Sequence, residues 1–274
     1  MLPNRLPTHY AAIVLSGKIL SIGECGLKGN SKICKDVVTR HAEMDAISKI
    51  KEKVSSSDWA PILNPWLDST DHYNVVKALK SANESGVRFT PRYGDAYNAF
   101  LHCPVDQLKV VMIGQDPYPQ PDVADGIAFS CSRKGKAEKS LQYILKETIG
   151  DYTDTGRVMY TPEECDLRRW SNQGVLLINT ALTVEINSIG SHYNIWKPFT
   201  QYLFENINRV NPGTVFMMMG RKAEEWQVHV PDCKILKCSH PASAAYKGGA
   251  WDCNDIFNKA NNILEKQGKT CINW

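Results

Sequence analysis

Three polar side chains stand out because each directly follows an apolar run and has a type that can do chemistry. Asp116 lies in Gly114-Gln115-Asp116-Pro117-Tyr118-Pro119, Asn179 closes Leu176-Leu177-Ile178, and His240 precedes a proline. A carboxylate can activate water or stabilise a cation, an imidazole can donate to a developing anion, and a carboxamide can read a donor–acceptor pattern. These residue types predict a polar reaction at one site.

An aspartate and a histidine also occur in nucleophilic triads, so acyl transfer is the first alternative to consider. Such a triad needs a serine or cysteine on a sharp turn of the Gly-x-Ser-x-Gly kind, and the sequence has none. The sequence therefore does not favour acyl transfer. A simpler alternative makes Asp116 the hydrogen-bonding residue of a proline-rich turn formed with Pro117 and Pro119.

Four short apolar runs lead into these polar segments, at 108–113, 175–178, 215–218 and 234–236. Helical apolar spacing recurs between and after them, at Leu141/Ile144/Leu145, Phe199/Leu203/Ile207/Val210 and Ile256/Ala260/Ile263/Leu264. Apolar strands that alternate with helices are typical of a parallel sheet covered on both faces. Ligands of such sheets bind beyond the carboxyl ends of the strands, so Asp116 and His240 converge although they lie 124 positions apart in the sequence.

Length and composition limit the class of protein. The 274 residues suffice for one large domain, or for one domain with an extension. The hydrophobic fraction of 43% supports a sizeable core, and no stretch approaches the ~20 apolar residues of a membrane span. The first residues lack an apolar secretory signal, and nine scattered cysteines predict reduced thiols in an intracellular protein, in the nucleus or the cytoplasm.

The formal net charge of +3 is distributed unevenly along the chain. Residues 1–53 carry 9 Lys/Arg against 5 Asp/Glu, a net +4, whereas residues 54–274 carry 23 against 24, a net −1. The larger segment therefore has no global attraction for phosphate, and any binding of nucleic acid by it depends on individual contacts.

The first fifth of the chain has a pattern of its own. Two apolar runs, Tyr10–Leu15 and 18–22, predict a hairpin, and a helix is expected over about 39–51. The serine-rich stretch 54–58 breaks the apolar pattern and predicts a boundary. We therefore expect two parts, a small α+β N-terminal extension over 1–54 and, over 55–274, a three-layer α/β/α domain with a central, mainly parallel four-stranded sheet.

The motifs, taken in order, resemble those of family 1 uracil-DNA glycosylases. They are Gly114-Gln115-Asp116-Pro117-Tyr118, Phe129, the run from Leu176 to Thr183, His240-Pro241 and the closing Ile272-Asn273-Trp274. The match covers roughly 58–274. It implies a monofunctional glycosylase that flips deoxyuridine out of single- or double-stranded DNA and hydrolyses its N-glycosidic bond, leaving an abasic site for base excision repair. The resemblance implies no metal or organic cofactor, and we expect a monomer.

The resemblance also implies the roles of the polar residues. Asp116 orients or deprotonates the attacking water and favours the cationic sugar, while His240 donates to the uracil O2 as negative charge grows on the base. Asn179 is complementary to the O4 and N3 edge of uracil, where cytosine has the opposite pattern. Pro119 stands where the family has a histidine, a departure that bears on water or backbone positioning and leaves the reaction intact.

Three further residues complete the expected uracil pocket. Phe129 stacks on the flipped base, Tyr118 excludes the thymine methyl group, and Gln115 contacts uracil through its backbone. Taken singly, Phe129 also fits a core strand, Asn179 a turn cap, and His240 a structural position. Their joint placement at one edge of the sheet favours the functional interpretation.

We expect six more residues to contact DNA: Pro117, Ser140, Gly220, Arg221, Ser243 and Tyr246. Ser140 matches a phosphate-binding serine at a helix start, and Arg221 either replaces a neutral hydrogen bond of the family with a charged one or is an exposed loop residue. The intercalating leucine of the family is Ala244 here, which is too short to fill the base stack. We expect Tyr246, or a neighbour in the predicted turn 246–249, to replace it.

The extension raises a rival interpretation. His41-Ala42-Glu43 resembles the zinc-binding and proton-transferring half of nucleoside deaminases. The nine cysteines include no Cys-x-x-Cys pair to supply the other half, and one ligand cannot hold a catalytic zinc ion. We interpret residues 1–53 as a deaminase-like fragment without deaminase activity, which either packs on the main domain or attracts the DNA backbone. Another alternative is a glycosylase-like scaffold that serves as a DNA-binding or polymerase-associated module.

Overall fold

The computed structural model describes residues 10–15, 18–24, 48–150, 153–154, 157–158, 160–230, 234–247 and 250–274 and, within them, all side chains except those of 10–24, 153–158 and 245–247. The chain divides into two compact units, residues 1–50 and 51–274. The domain boundary expected near Ser55 stays a prediction.

In the first unit, β1 (Tyr10–Leu15) and β2 (Lys18–Glu24) pair antiparallel. The segment with the deaminase-like motif, His41-Ala42-Glu43, lies outside the described residues. The helix expected over 39–51 is described from residue 48 and continues to residue 55 (α1). The helix therefore ends about one turn later than expected, because Val54 is buried and extends its apolar stripe.

The second unit alternates strands and helices. Along the chain the elements are α2 (Ala60–Leu67), α3 (Thr70–Glu84), β3 (Phe89–Thr90), α4 (Asn98–His102), β4 (Val110–Gly114), α5 (Lys139–Ile149), β5 (Thr153–Asp154), β6 (Arg157–Val158), α6 (Arg168–Ser171), β7 (Val175–Asn179), β8 (Val184–Glu185), α7 (Tyr193–Val210), β9 (Val215–Met219), α8 (Arg221–Glu224), β10 (Lys234–Cys238), α9 (Pro241–Lys247) and α10 (Ile256–Lys266). Short 3-10 helices cover Tyr93–Asp95, Val105–Gln107 and Glu225–His229.

The central sheet has the strand order β10-β9-β4-β7, and its three pairings are parallel. All residues of β4 and β9 are buried, which explains why both strands are apolar throughout. The edge strand β10 is less buried and carries Lys234 and Lys237, charges that discourage pairing with another chain. The predicted central, mainly parallel four-stranded sheet is confirmed.

Helices cover both faces of this sheet. Val215 and Met217 of β9 share a buried cluster with residues of α5 and α10, such as Leu141 and Leu264. Phe216, whose side chain points the other way, packs edge-on against Phe204 of α7 with ring centroids 5.6 Å apart. The predicted three-layer α/β/α architecture follows from this alternation.

The C-terminal segment contributes to the core. Trp274 lies 5.4 Å from the ring of Trp170 and 5.2 Å from that of Phe257, both measured between centroids, and Ile272 is buried beside them. The six described cysteines are free thiols. Among the described residues, no helix is long and apolar enough to cross a membrane.

Candidate active site

The ends of β4 and β7 bring a glycine against a carboxamide. Gly114 pairs in register with Asn179, and a Cβ atom added at Gly114 would lie 2.3 Å from the Asn179 Oδ1. The same added atom would lie 3.2 Å from a ring carbon of Phe129. The residue at 114 must therefore be glycine for the carboxamide to lie across the strand end, as a closely approaching group requires.

Asp116 is held at one of its two carboxylate oxygens. Its Oδ2 accepts hydrogen bonds from the backbone N–H of Gly190 at 2.9 Å and from the Nε2 of Gln115 at 2.8 Å. Its Oδ1 is buried and has no hydrogen-bond partner among the described residues. Burial raises the pKa of the Asp116 carboxyl above its usual value, although the two hydrogen bonds oppose this shift.

His240 faces the same space from beyond the end of β10. Its Nδ1 accepts a hydrogen bond from the backbone N–H of Ala242 at 3.2 Å, so the neutral ring carries its proton on Nε2. Burial lowers the pKa of His240 and favours this neutral form. Gly220 has φ +89°, and a Cβ atom there would lie 2.8 Å from the His240 Cβ, so this glycine sets how closely β9 and His240 approach.

Phe129 and Tyr118 line one side of the cleft. Phe129 lies in a turn with φ +64°, so the alternative of a core strand residue is wrong, although its side chain is buried. The Phe129 ring lies 6.1 Å from the His240 ring between centroids. The Tyr118 hydroxyl donates to the Phe129 carbonyl at 3.0 Å, which fixes the tyrosine ring against the Phe129 loop.

One cleft of about 410 Å³ collects most of the predicted residues. Nine of the twelve predicted site residues line it: Gln115, Asp116, Pro117, Tyr118, Phe129, Ser140, Asn179, His240 and Ser243. Gly220 and Arg221 are not among the lining residues, and the side chain of Tyr246 lies outside the described part of the structure. Within the described part of the chain, no group of three side chains is arranged to hold a metal ion.

Three of the six residues predicted to contact DNA lie at helix starts. Ser140 is the second residue of α5, after Glu138, whose carboxylate pairs with Lys134. Arg221 is exposed at the first position of the short helix α8. Ser243 lies in the first turn of α9, where its N–H donates to the His240 carbonyl at 2.8 Å.

Helix α9 contains the position of the missing leucine. Ala244 is buried and packs in the core, so it does not reach into a DNA duplex. The predicted turn 246–249 is wrong in its first half, because Tyr246 and Lys247 continue the backbone of α9. The Tyr246 side chain and residues 248–249 lie outside the described part of the structure.

Two features of the cleft were not predicted. The loop after β8 supplies the Gly190 N–H to Asp116 and places Ile189, 66% exposed, in the cleft lining. Before Ser140, the segment 133–139 carries Arg133, Lys134, Lys136 and Lys139 against one acid, Glu138, a local net charge of +3. The net charge of these seven residues is visible in the sequence, but it is hidden in the net −1 of residues 54–274 as a whole.

The sequence of the described fold matches a known family. A model of the Uracil DNA glycosylase superfamily matches residues 100–265, a span that contains all twelve predicted site residues. This chain belongs to that superfamily.

Individual relatives extend the match. A uracil-DNA glycosylase from Photorhabdus laumondii is 37% identical over 219 residues, which are 79% of this chain and 95% of that protein. One from Flavobacterium johnsoniae is 34% identical over 221 residues, 80% of this chain and 97% of that protein. A crystal structure of mimivirus uracil-DNA glycosylase shares the fold, with a TM-score of 0.70 and 24% identity over 82% of this chain and 88% of that one.

The predicted family, fold class and enzyme class, a monofunctional DNA glycosylase of base excision repair, are thereby confirmed. Both curated relatives are bacterial proteins, so the predicted alternative of a nuclear location has no support. Residues 1–54 lie outside the family match, which gives no support to a deaminase-like extension. The monomeric state stays a prediction.

Proposed function

We propose that the cleft binds a deoxyuridine flipped out of DNA and hydrolyses its N-glycosidic bond. The observation that carries this proposal is the asymmetry of Asp116, a cleft-lining residue whose Oδ2 is held by two donors while its buried Oδ1 has no hydrogen-bond partner among the described residues. A carboxylate restrained in this way can orient a water molecule without rotating away. His240, which lines the same cleft, supplies a hydrogen-bond donor, its Nε2–H, where Asp116 supplies an acceptor.

The reaction needs both groups because charge separates in its transition state. As the C1′–N1 bond breaks, its electron pair goes to uracil and positive charge develops on the sugar. Asp116 stabilises that cation and accepts a proton from the water that attacks C1′. The neutral Nε2–H of His240 donates to the uracil O2, where negative charge accumulates.

The remaining cleft residues read the base. Asn179 offers a donor and an acceptor to the O4 and N3 atoms of uracil, and Phe129 provides a face for stacking. The carbonyl of Gln115 already accepts hydrogen bonds from the Ala181 N–H at 3.0 Å and the Thr180 hydroxyl at 2.9 Å. The backbone N–H of Gln115 is therefore the group that contacts uracil, and the Tyr118 ring excludes the methyl group of thymine.

The DNA backbone is bound around the mouth of the cleft. Ser140, Ser243 and the amide N–H groups near Pro117 donate hydrogen bonds to the phosphates that flank the flipped nucleotide, on single- or double-stranded DNA. Arg221, next to Gly220, adds a charged contact, and the exposed Lys136 and Lys139 of segment 133–139 strengthen it. Tyr246 fills the vacated base stack, a role that the buried Ala244 cannot take.

The function is tested by uracil release from a labelled single-stranded oligonucleotide with one deoxyuridine. The wild type is expected to release uracil, and the double variant Asp116→Asn/His240→Ala to release almost none. Equal release by the two proteins would refute the assignment. Binding of uracil DNA by a wild type that releases no base would instead favour the DNA-binding module, and zinc-dependent deamination of cytidine would revive the deaminase.

We further propose that residues 1–54 contribute attraction to the DNA backbone through their positive charge, without deaminase activity. The support for this role is the net +4 of residues 1–53 beside a near-neutral main domain. A protein truncated before Ser55 should keep its kcat for uracil release, bind DNA more weakly at low salt and lose affinity less steeply as salt rises. Unchanged salt dependence after truncation would exclude the DNA role.

A further inference from the structure

A buried carboxylate organises the loop that carries Phe129. Asp125 is 7% exposed, and its Oδ2 accepts from the Ser130 hydroxyl at 2.6 Å, the Ser132 hydroxyl at 2.6 Å and the Ser132 N–H at 3.3 Å. Its Oδ1 accepts from the Ile127 N–H at 3.1 Å. Its backbone carbonyl accepts from the side chain of Asn98 at 2.7 Å. The carboxylate thus binds the loop on both sides of Phe129.

This loop needs restraint because its backbone is unusual. Phe129 has φ +64°, a left-handed conformation that an aromatic residue rarely adopts without support. Gly126 has φ +91° and lies so close to Asp95 that a Cβ atom would be 1.9 Å from the Asp95 carbonyl oxygen. The conformation aims the Phe129 ring at the strand end of Gly114 and towards His240.

Other contacts hold single points of the same loop. The Tyr118 hydroxyl binds the Phe129 carbonyl, and the Ala128 N–H donates to the Leu177 carbonyl at 3.1 Å. Among the described side chains, Asp125 alone accepts hydrogen bonds from residues both before and after Phe129. Its loss would therefore loosen the aromatic ring without detaching the loop.

We propose that Asp125 is a positioning residue for the uracil-stacking ring of Phe129, an inference that rests on the proposed uracil-DNA glycosylase function. Asp125 does not touch the base. It holds the left-handed turn in which the Phe129 ring lies against the flipped uracil, so the free-energy cost of ordering that ring is met during folding rather than during binding.

The test is Asp125→Asn, which keeps the shape of the side chain but replaces one acceptor oxygen with a donor group that faces hydroxyl and N–H donors. On a single-stranded oligonucleotide with one deoxyuridine, KM and the inhibition constant of free uracil should each rise about tenfold, with kcat changed less than about threefold. Asp58→Asn is the matched control, since Asp58 accepts from the Val105 N–H at 2.6 Å and does not line the cleft. Its kinetic constants should equal those of the wild type.

Ser132→Ala provides a second variant in case Asp125→Asn folds poorly. It removes one bond to the carboxylate and should raise the same two constants by about threefold. In the Asp125→Asn background its effect should shrink, because the bond it removes is already weakened. Both variants should be measured well below their own unfolding temperatures.

The outcomes separate the two proposals. If the wild type releases uracil but both variants keep the wild-type KM and uracil inhibition constant, with only their stability lowered, Asp125 has a purely structural role and the inference fails. A loss confined to kcat also overturns it, since stacking acts on binding of the base. If the wild type releases no uracil, the proposed function itself fails.

Discussion

The floor of the cleft and its rim are built in different ways. The cleft floor consists of Asp116, Asn179 and His240, each of which follows a strand of the central sheet. We define the cleft rim as Ser140, which lines the cleft, together with the residues proposed to attract DNA phosphates, Arg221 and the basic segment 133–139. The floor residues are half-buried, and hydrogen bonds restrain the side chains of Asp116 and His240, whereas Arg221 and the lysines of segment 133–139 are exposed.

The difference teaches which tasks need fixed geometry. A group that orients water or meets a developing oxyanion loses most of its effect when displaced by about 1 Å, so it benefits from a rigid strand end. A cation that attracts phosphate acts over several ångströms and tolerates movement. The chain keeps the family's aspartate and histidine at Asp116 and His240 of the floor and departs from the family at Arg221 of the rim, although it also departs at Pro119 in the Asp116 loop.

The largest effect is expected at Asp116. Replacement of Asp116 by Asn should lower kcat by about 10³-fold, since a positioned base contributes 10²- to 10⁴-fold. The loss should be equal on single- and double-stranded substrates, because the floor acts on the sugar and the base. Single-turnover uracil release measures both, and Asp122→Asn, an exposed aspartate outside the cleft lining, is the control. A loss seen only on duplex DNA would contradict the assignment of Asp116 to the cleft floor.

His240→Ala should lower kcat by about 10²-fold, the usual cost of one donor to a developing oxyanion. His240→Gln, which keeps a donor, should recover part of this loss. Because burial lowers the pKa of His240, the wild-type ring is neutral above its ordinary value of 6.5, and kcat should stay level as the pH rises through that region. A fall in kcat there would show that the charged imidazole is the active form.

At the rim, Tyr246→Ala should lower kcat/KM on duplex uracil DNA by about tenfold and leave single-stranded DNA almost unaffected, because only a duplex has a base stack to fill. The ratio of the two substrates is the measurement. Ser243→Ala serves as a comparison that should weaken both substrates. An unchanged ratio for Tyr246→Ala would show that Tyr246 does not fill the vacated base stack.

Lys136→Ala should have a smaller effect, a few-fold loss of affinity for uracil-free DNA at low salt. The slope of log affinity against log salt should fall by about one, as expected for one lost phosphate contact. Lys266→Ala is the control of equal charge, because the neighbouring Gln267 donates to the Gly213 carbonyl before β9, at the opposite edge of the sheet. Equal slopes for the two variants would exclude Lys136 from the rim.

The smallest effect concerns stability. Burial raises the pKa of Asp116 in the folded protein, so its contribution favours folding when protonated and is lost as the pH rises through the folded pKa. Asp116→Asn should therefore raise the unfolding temperature by about 1–3 °C at pH 7 and not at pH 3. Thermal unfolding followed by circular dichroism tests this. A lower unfolding temperature at pH 7 would mean that the two donors outweigh the cost of burial.

The sheet and most of the floor could be predicted because their signals are local or follow from topology. Residues of β4 and β9 are apolar on both faces, and parallel strands place Asp116 and His240 at one edge regardless of their separation. The left-handed turn at Phe129 could not be predicted, because no glycine marks it. It depends on bonds from Asp125 and on the Leu177 carbonyl, which is distant in sequence.

Contacts between segments distant in the sequence show another limit of prediction from local patterns. The Gly190 N–H reaches Asp116 across 74 residues, and nothing in the loop after β8 signals that contact. The charge of segment 133–139 was visible in the sequence. That it leads directly into the first turn of α5, where Ser140 lies, is known only from the structure. Helix α9 continues through Tyr246 because Ala244 packs in the core, a tertiary contact that overrides the expected turn.

Gly114 and Gly220 constrain any attempt to redesign the chemistry of this cleft. A methyl group at position 114 would overlap the Asn179 oxygen, and one at 220 would press on the His240 Cβ. A mutant library aimed at larger or methylated bases therefore has two positions, 114 and 220, that accept no other residue unless the Asn179 or the His240 side chain moves. The useful diversity lies instead at Tyr118, which lines the cleft, because substitutions there can change the pocket width without displacing the groups that react.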